Sequence, residues 1–236
     1  MKLYLVVEGR RTEPKLYTAW LTHYQPSLVR YHSVEELVEG AEDGYHLVAG
    51  GGYPSYLDRI RNAVDDINGS LNAGNAIDAL MVCVDTEGDF TIEEKIAELN
   101  ELLSNLRPDC VALPIVQNLC IETWLLGNRK FFHRQPQSQE LVRFQKFYSV
   151  LEKCPETMPS MPGYLTPVSF HLAYFRHLCW ERNTSYSKKN PGPALAGSFL
   201  EELLNRHAST GHLPSLATLA SALEILGSRN RDSSAV

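Results

Sequence analysis

The stretch that decides the fold reads Leu3-Tyr-Leu-Val-Val-Glu8-Gly9-Arg-Arg-Thr12-Glu13-Pro14. An unbroken apolar run ends in a carboxylate and a glycine, which is typical of a strand buried on both faces of a parallel sheet. Thr12 followed by Glu13 and Pro14 predicts a helix cap with proline in the first turn. Glu8 is therefore expected at the carboxyl end of a core strand, where open α/β sheets place their sites.

A second stretch repeats this arrangement of an apolar run followed by acids. It reads Ala79-Leu-Met-Val-Cys-Val84 and continues directly into Asp85-Thr-Glu87-Gly-Asp89. In an extended segment alternate residues point to the same side, so Asp85 and Glu87 are expected to project together. Glu8 and Asp85, from the ends of neighbouring strands, then predict a site for Mg²⁺, which prefers oxygen ligands. Asp89 is the other candidate for the second ligand, although it also suits a cap of the next helix.

These acids resemble the pattern of the Toprim domain, which topoisomerases, primases and OLD-type nucleases share. In that pattern a Glu-Gly pair closes the first strand, and a later strand closes with Asp-x-Asp or, as here, Asp85-x-Glu87. The first stretch is also similar to the RloB-like branch, whose members begin with an acid-Gly-x-x-Thr-Glu-x-x-Tyr pattern. Two later landmarks of that branch follow in order, Asn118-Leu-Cys-Ile-Glu122-Thr-Trp124-Leu-Leu126 and Tyr186-Ser-Lys188-Lys189 with Gly192.

The resemblance implies a metal-dependent nuclease that uses Mg²⁺ or Mn²⁺. The implied catalytic residues are Glu8, Asp85, Glu87 and Lys188, with the lysine as a positive charge on the transition state. The implied metal ligands are Glu8, Asp85, Glu87 and Asp89. Glu122 is an additional candidate, with an acid favoured by the helix dipole as its alternative reading.

The resemblance also implies partners. RloB-like proteins typically accompany a separate ABC-type or SMC-like ATPase in bacterial or archaeal defence against phages. The expected partners are therefore nucleic acid (DNA or RNA, including tRNA) and such an ATPase, with no role for a membrane. The alternative is a non-catalytic Toprim-like module that docks on the ATPase. The intact set of Glu8, Asp85 and Glu87 favours the nuclease, because a purely structural protein has no evident reason to keep these acids together.

Basic side chains are concentrated locally, although the formal net charge of the 236-residue chain is −6. An acidic total argues against a protein that coats nucleic acid, but phosphate contacts depend on local patches. The predicted nucleic-acid contacts are Arg10, Arg11, Lys15 and Lys189, with a solvated helix start as the alternative for the first three. Further basic stretches, which suit a solvated surface equally well, carry Arg129, Lys130, Arg134, Arg143 and Lys146, and then Arg176, Arg182, Lys188 and Lys189.

Apolar periodicity predicts an α/β fold over residues 1–127, with a Toprim-like parallel sheet flanked by helices. The predicted strands are 3–7, 28–32, 45–49, 79–84 and 110–116, the last at an edge or a strand end because of Pro114. The predicted helices are 13–24, 54–67 and 91–106. Gly50-Gly51-Gly52 favours a tight turn over a phosphate cradle.

Residues 128–228 predict a mainly helical C-terminal extension that carries the late Tyr-x-Lys segment. Its predicted helices are 138–152, 168–181, 194–207 and 215–226, and the tail 229–236 is expected to fray. A catalytic role for Lys188 requires this extension to fold back over the ends of the strands.

Cysteine usage indicates the compartment. Five cysteines, of which at least three lie in apolar runs, show no CxxC spacing: Cys83, Cys110, Cys120, Cys154 and Cys179. Such cysteines are typical of buried thiols in a reducing environment. No secretory leader is evident, and no apolar run approaches the roughly 18 residues of a membrane span, so a cytoplasmic location is expected.

Overall fold

Five parallel strands form one sheet in the computed structural model, which describes residues 1–72, 74–132 and 135–224. The strands are β1 (Lys2–Val7), β2 (Val29–Tyr31), β3 (Gly44–Ala49), β4 (Ala79–Asp85) and β5 (Val111–Gln117). Their order across the sheet is β2-β3-β1-β4-β5. The predicted α/β class with a parallel sheet is confirmed, and the architecture is consistent with a Toprim-like fold. The strand that contains Pro114 lies at an edge, as predicted.

Strand β1 occupies the centre of the sheet because its residues are apolar on both faces. Leu3, Leu5 and Val7 face one side, and Tyr4 and Val6 face the other, all of them buried. Val7 pairs with Ala49 of β3 and with Cys83 of β4. The carboxyl ends of these three strands therefore meet at one end of the sheet, with β1 in the middle.

Helices cover both faces of the sheet. They are α1 (Glu13–Tyr24), α2 (Val34–Glu39), α3 (Ser55–Asn72), α4 (Ile92–Leu106) and α5 (Ile121–Leu125). Helices α3 and α4 bury Ile60, Val64 and Leu99 against the face that carries Tyr4 and Val6. Helix α1 buries its apolar side chains against the opposite face. In the described ranges, no helix combines the length and apolarity needed to cross a bilayer.

The C-terminal extension packs on the same face as α1. Its helices are α6 (Gln139–Phe147), α7 (Pro167–Glu181) and α8 (Gly197–Thr210), and residues 217–224 are also helical. One apolar cluster runs from Leu3 and Trp20 into Phe144 and Phe170 of the extension. The Trp20 indole N–H donates to the carbonyl of Ala194 at 2.9 Å. This shared core holds the extension against the sheet, since each fully buried large side chain contributes about 1.5–3 kcal/mol.

Several element boundaries differ from the prediction. Helix α2 is absent from the predicted elements because it is one short segment with a single buried residue, Leu37. Helix α6 ends at Phe147, since Tyr148 is extended and its hydroxyl donates to the carbonyl of Cys154. The predicted helix 194–207 is a 3₁₀ turn, Gly192–Leu195, followed by α8. The end of the predicted helix 215–226, the tail 229–236 and Arg134 lie outside the described residues.

Candidate active site

Glu8 and Asp85 meet at the carboxyl end of the sheet, as the sequence predicts. The Glu8 amide continues the strand pairing by donating to the carbonyl of Cys83 at 2.9 Å. Its carboxylate oxygen Oε2 then accepts a hydrogen bond from the Asp85 backbone N–H at 2.8 Å. Glu8 is only 5% exposed and Asp85 is half-buried. The adjacent strand ends thus fix the Glu8 carboxylate beside Asp85.

The Glu8 carboxyl has a strongly altered proton affinity. Burial raises its pKa from 4.5 to about 7, and the negative charges of Glu87 and Glu13 act in the same direction. The hydrogen bond from Asp85 and the positive charge of Lys95 oppose the shift. Burial disfavours the ionised form of Glu8 and neighbouring acids repel it. The Asp85 hydrogen bond and the Lys95 charge therefore only partly offset the cost of ionising this carboxyl.

The pKa of Asp85 is raised by the same two causes, burial and neighbouring negative charges. Burial raises its pKa well above the ordinary value, and repulsion from Glu13, Glu8 and Glu122 raises it further. The ammonium group of Lys188 opposes these effects. The charges of Glu8, Glu13 and Glu122 thus all act on Asp85, and these four acids are referred to below as the carboxylate cluster.

Glu13 is a member of this cluster that the sequence-based prediction missed. It is the first residue of α1 and is 8% exposed, and its carboxylate lies directly over the backbone of Gly9. A Cβ atom at position 9 would collide with this carboxylate, so Gly9 allows the close approach. Burial and the charge of Glu122 raise the pKa of Glu13. The Thr-Glu pair of the first stretch was the available signal, but an acid in a first helical turn normally indicates only a dipole effect.

Glu122 lies in α5 and is fully buried. One carboxylate oxygen, Oε1, accepts a hydrogen bond from the Tyr186 hydroxyl at 2.8 Å. The other, Oε2, has no hydrogen-bond partner among the residues that the structure describes. A buried carboxylate oxygen without a donor is costly, by about 1–3 kcal/mol or more for a charged group. The cost would be relieved by a cation or a donor from a ligand.

The segment that contains Lys188 folds back over the ends of the strands, as its predicted role requires. The Thr12 hydroxyl donates to the carbonyl of Lys188 at 3.0 Å, and the ammonium of Lys15 donates to the carbonyl of Lys189. Burial lowers the pKa of Lys188, but the charges of Glu122, Glu13 and Asp85 outweigh it and raise the pKa overall. The charge of Lys188 thus acts on the carboxylate cluster.

Thr12 does not cap helix α1 with its side chain, contrary to the prediction. Its backbone angles are already helical, and its side chain makes no capping hydrogen bond within α1. The hydroxyl is instead committed to the Lys188 carbonyl. The predicted proline in the first turn of the helix is confirmed as Pro14.

Glu87 does not lie in the extended segment that the sequence suggests. Strand β4 ends at Asp85, and Glu87 has a left-handed backbone with φ of 51°, so strand alternation no longer applies. Its N–H donates to the carbonyl of Leu119 at 2.9 Å, and its side chain is exposed. The extended segment on which this expectation was based therefore ends at Asp85, and a shared side for Asp85 and Glu87 stays a prediction. Glu87 still lies near enough for its charge to raise the pKa of Glu8.

Asp89 is exposed and does not cap the following helix. Its N–H donates to the carbonyl of Thr86 at 3.1 Å. The cap of α4 is Thr91, which forms a capping box with Glu94. The alternative reading of Asp89 as a helix cap is therefore wrong, and its role as a ligand stays a prediction.

Lys95 is a second residue of the site that sequence reasoning missed. Its ammonium group pairs with Glu98 at 2.7 Å, contacts the hydroxyl of Tyr56 at 3.2 Å, and lies 3.8 Å from the centre of the Phe90 ring. The side chain is only 2% exposed. Its helical spacing from Leu99 places it on the buried side of α4, and a lysine on an apolar face was the available signal.

The predicted nucleic-acid contacts lie around this end of the sheet. Arg10, Arg11, Lys15 and Lys189 are exposed, and the guanidinium of Arg10 lies against the backbone of Gly51. Other basic residues are engaged within the protein. Ion pairs join Arg129 and Lys130 to Glu202 and Arg143 to Glu140, and Arg182 donates to the carbonyls of Lys130, Phe131 and Phe132.

The triple glycine forms a turn against β1. The N–H groups of Gly51 and Gly52 donate to the carbonyl of Glu8 at 2.7 and 3.1 Å. Both glycines have φ near +90°, a conformation that other residues rarely adopt. Because these N–H groups are already engaged, the turn interpretation agrees with the geometry and a phosphate cradle does not.

A divalent cation fits the chemistry of these side chains. The donors are carboxylate oxygens, which Mg²⁺ and Mn²⁺ prefer, and buried Glu122 Oε2 has no hydrogen-bond partner in the part of the chain that the structure describes. Over residues 1–72, 74–132 and 135–224, no three His, Cys, Asp or Glu side chains are already arranged as ligands of one ion.

Comparison of the chain with protein families, with curated proteins and with solved structures finds no match. The Toprim resemblance therefore depends on the sequence landmarks and on an architecture that is consistent with it. The geometry of the carboxylate cluster is an independent basis for a functional proposal.

Proposed function

We propose that this protein is a Mg²⁺- or Mn²⁺-dependent nuclease of the Toprim type that cleaves phosphodiester bonds in nucleic acid. The observation that carries the proposal is the carboxylate cluster at the carboxyl end of the sheet. Burial raises the pKa of Glu8, Glu13 and Asp85, neighbouring acids raise it further, and one buried oxygen of Glu122 has no partner among the described residues. Strongly perturbed acids that meet where α/β folds place their ligands are typical of a functional site.

Each residue has a distinct role in the proposed reaction. Glu8 and Asp85 would hold the cation, and the hydrogen bond from the Asp85 N–H fixes the orientation of the Glu8 carboxylate. A divalent cation held there would activate water and neutralise the charge of the leaving oxygen. Glu87 and Asp89, from the turn after β4, complete the acidic motif. Lys188 presents its positive charge to the phosphate in the transition state.

Nucleic acid and an ATPase are the proposed partners. Support for DNA or RNA, tRNA included, comes from the exposed Arg10, Arg11, Lys15 and Lys189 around the carboxylate cluster. The separate ABC-type or SMC-like ATPase, a role in defence against phages and a cytoplasmic location come from the sequence resemblance alone.

Matched substitutions test the nuclease. The parent chain should cleave labelled RNA or DNA only when Mg²⁺ or Mn²⁺ is present, and Glu8→Gln or Asp85→Asn should abolish cleavage. Both variants keep the shape of the side chain, so circular dichroism should match that of the parent. Glu101→Gln, an exposed acid further along α4, is the control and should cleave normally.

The outcome also separates the two classes of function. Metal-independent cleavage, or equal cleavage by the parent and both variants, would contradict the catalytic assignment. A chain that cleaves no nucleic acid with either metal, alone or with its ATPase, would instead be the docking module.

A further inference from the structure

Two exposed aromatic side chains border the carboxylate cluster. Tyr53 is 56% exposed and Phe90 is 39% exposed, which is unusual for large apolar rings. Tyr53 belongs to the loop after β3, and Phe90 belongs to the loop after β4. Because β1 lies between these strands, the two loops bracket Glu8 at the end of β1.

The two rings share one buried cation. The Lys95 ammonium lies 3.8 Å from the centre of the Phe90 ring and 5.2 Å from that of Tyr53. Both rings are therefore held within a short distance of one atom, by a cation–π contact that stabilises their positions. Since the charge of Lys95 also lowers the pKa of Glu8, this arrangement lies next to the carboxylate cluster.

We propose that Tyr53 and Phe90 form a stacking platform for the base of an unpaired nucleotide, and that the substrate is single-stranded nucleic acid or an unpaired segment of it. The proposal rests on the nuclease function and names its substrate class. Bases inside a duplex are stacked on one another and do not reach a side-chain ring, whereas an unpaired base offers its face to aromatic rings. Arg10, against Gly51 in the same loop as Tyr53, is placed to contact the adjoining phosphate.

Fluorescence anisotropy with the full chain tests this platform. The probes are end-labelled strands of about 20 nucleotides, as RNA and as DNA, each single-stranded and as a duplex, with Ca²⁺ in place of Mg²⁺ to limit cleavage. The single strand should bind at least about tenfold more tightly than its duplex. Tyr53→Ala and Phe90→Ala should each weaken single-strand binding by about tenfold, in line with the usual loss of one stacked base.

Matched variants separate stacking from a general loss of structure. Tyr53→Phe and Phe90→Tyr retain an aromatic face and should bind like the parent. Trp180→Ala removes an aromatic side chain that is 65% exposed on α7 in the extension, and it should leave binding unchanged. Whether the RNA or the DNA strand binds more tightly identifies the nucleic acid.

Failure of the platform and failure of the nuclease give different results. Equal binding of single strand and duplex, no binding of any strand, or unchanged binding by both alanine variants would overturn the platform. Single-strand binding that depends on Tyr53 and Phe90, without metal-dependent cleavage of the same strand by the parent, would overturn the nuclease and leave the platform standing.

Discussion

Two regions of this molecule bury charge in opposite ways. In the extension, Arg206 is fully buried, and its guanidinium donates to the carbonyls of Gly127, Val150 and Lys153 at 2.7–2.9 Å. It also contacts the ring of His212. At the carboxyl end of the sheet, the negative charges of the carboxylate cluster repel one another, as their effect on Asp85 and Glu13 shows.

Two buried glutamates make the difference explicit. Glu156 of the extension accepts hydrogen bonds from both the N–H and the hydroxyl of Ser215. Glu122 of the cluster accepts one hydrogen bond, from Tyr186, and its second oxygen has no partner within the described part of the chain. Burial raises the pKa of Glu156 and the hydrogen bonds from Ser215 partly offset that effect, whereas acids kept together despite repulsion are what a cation-binding site requires.

We expect the largest effect on stability when the buried, hydrogen-bonded charge of Arg206 is removed. Arg206→Leu leaves three carbonyls without their donor in a buried position, and we expect it to lower the free energy of unfolding by about 3–5 kcal/mol. Urea denaturation measures the change. Arg176→Leu, at an exposed position of α7, is the control and should stay within about 0.5 kcal/mol of the parent. If Arg206→Leu lowers the free energy of unfolding by less than about 1 kcal/mol, the buried guanidinium does not stabilise the extension as argued.

Lys188 should affect rate and leave the fold intact. Lys188→Ala removes the positive charge that faces the cluster, and we expect cleavage to slow by about 10²–10³-fold. Metal affinity should not weaken, because Lys188 opposes the negative charges that attract the cation. Single-turnover cleavage and Mg²⁺ titration separate the two effects. Lys189→Ala should do less, and an equal loss in both variants would indicate a general electrostatic role.

Stability should depend on pH through Glu8. Its pKa is about 7 in the folded chain and about 4.5 when unfolded, so the folded state binds more protons between these values. Stability should therefore fall as pH rises from 4.5 to 7, by about 3 kcal/mol from this group, and Mg²⁺ should reduce the loss. Buried His171, with a pKa lowered to about 4, acts in the opposite direction. The difference between parent and Glu8→Gln in urea denaturation isolates Glu8, and identical pH profiles would contradict its shift.

The predictable part of the fold and site is local in sequence. Apolar runs that end in acids located β1 and β4, and parallel strands bring Glu8 and Asp85 together by geometry alone. The left-handed turn at Glu87 was not predictable, because its N–H pairs with Leu119 of a distant loop. Glu13 and Lys95 were missed because each suits an ordinary helix position, and only tertiary packing places their charges beside the cluster.

The smallest expected effects come from replacing one buried glutamate by glutamine in each region, Glu122 in the carboxylate cluster and Glu156 in the extension. Glu122→Gln removes a charge that repels Glu13 and Asp85, so stability without metal should stay within about 1 kcal/mol of the parent or rise. Glu156→Gln weakens charge-assisted bonds from Ser215 and should destabilise by about 1–2 kcal/mol. Mg²⁺ should raise the melting temperature of the parent and of Glu156→Gln but raise that of Glu122→Gln less, because binding stabilises in proportion to affinity. Equal Mg²⁺ shifts in both variants would show that the Glu122 carboxylate takes no part in cation binding.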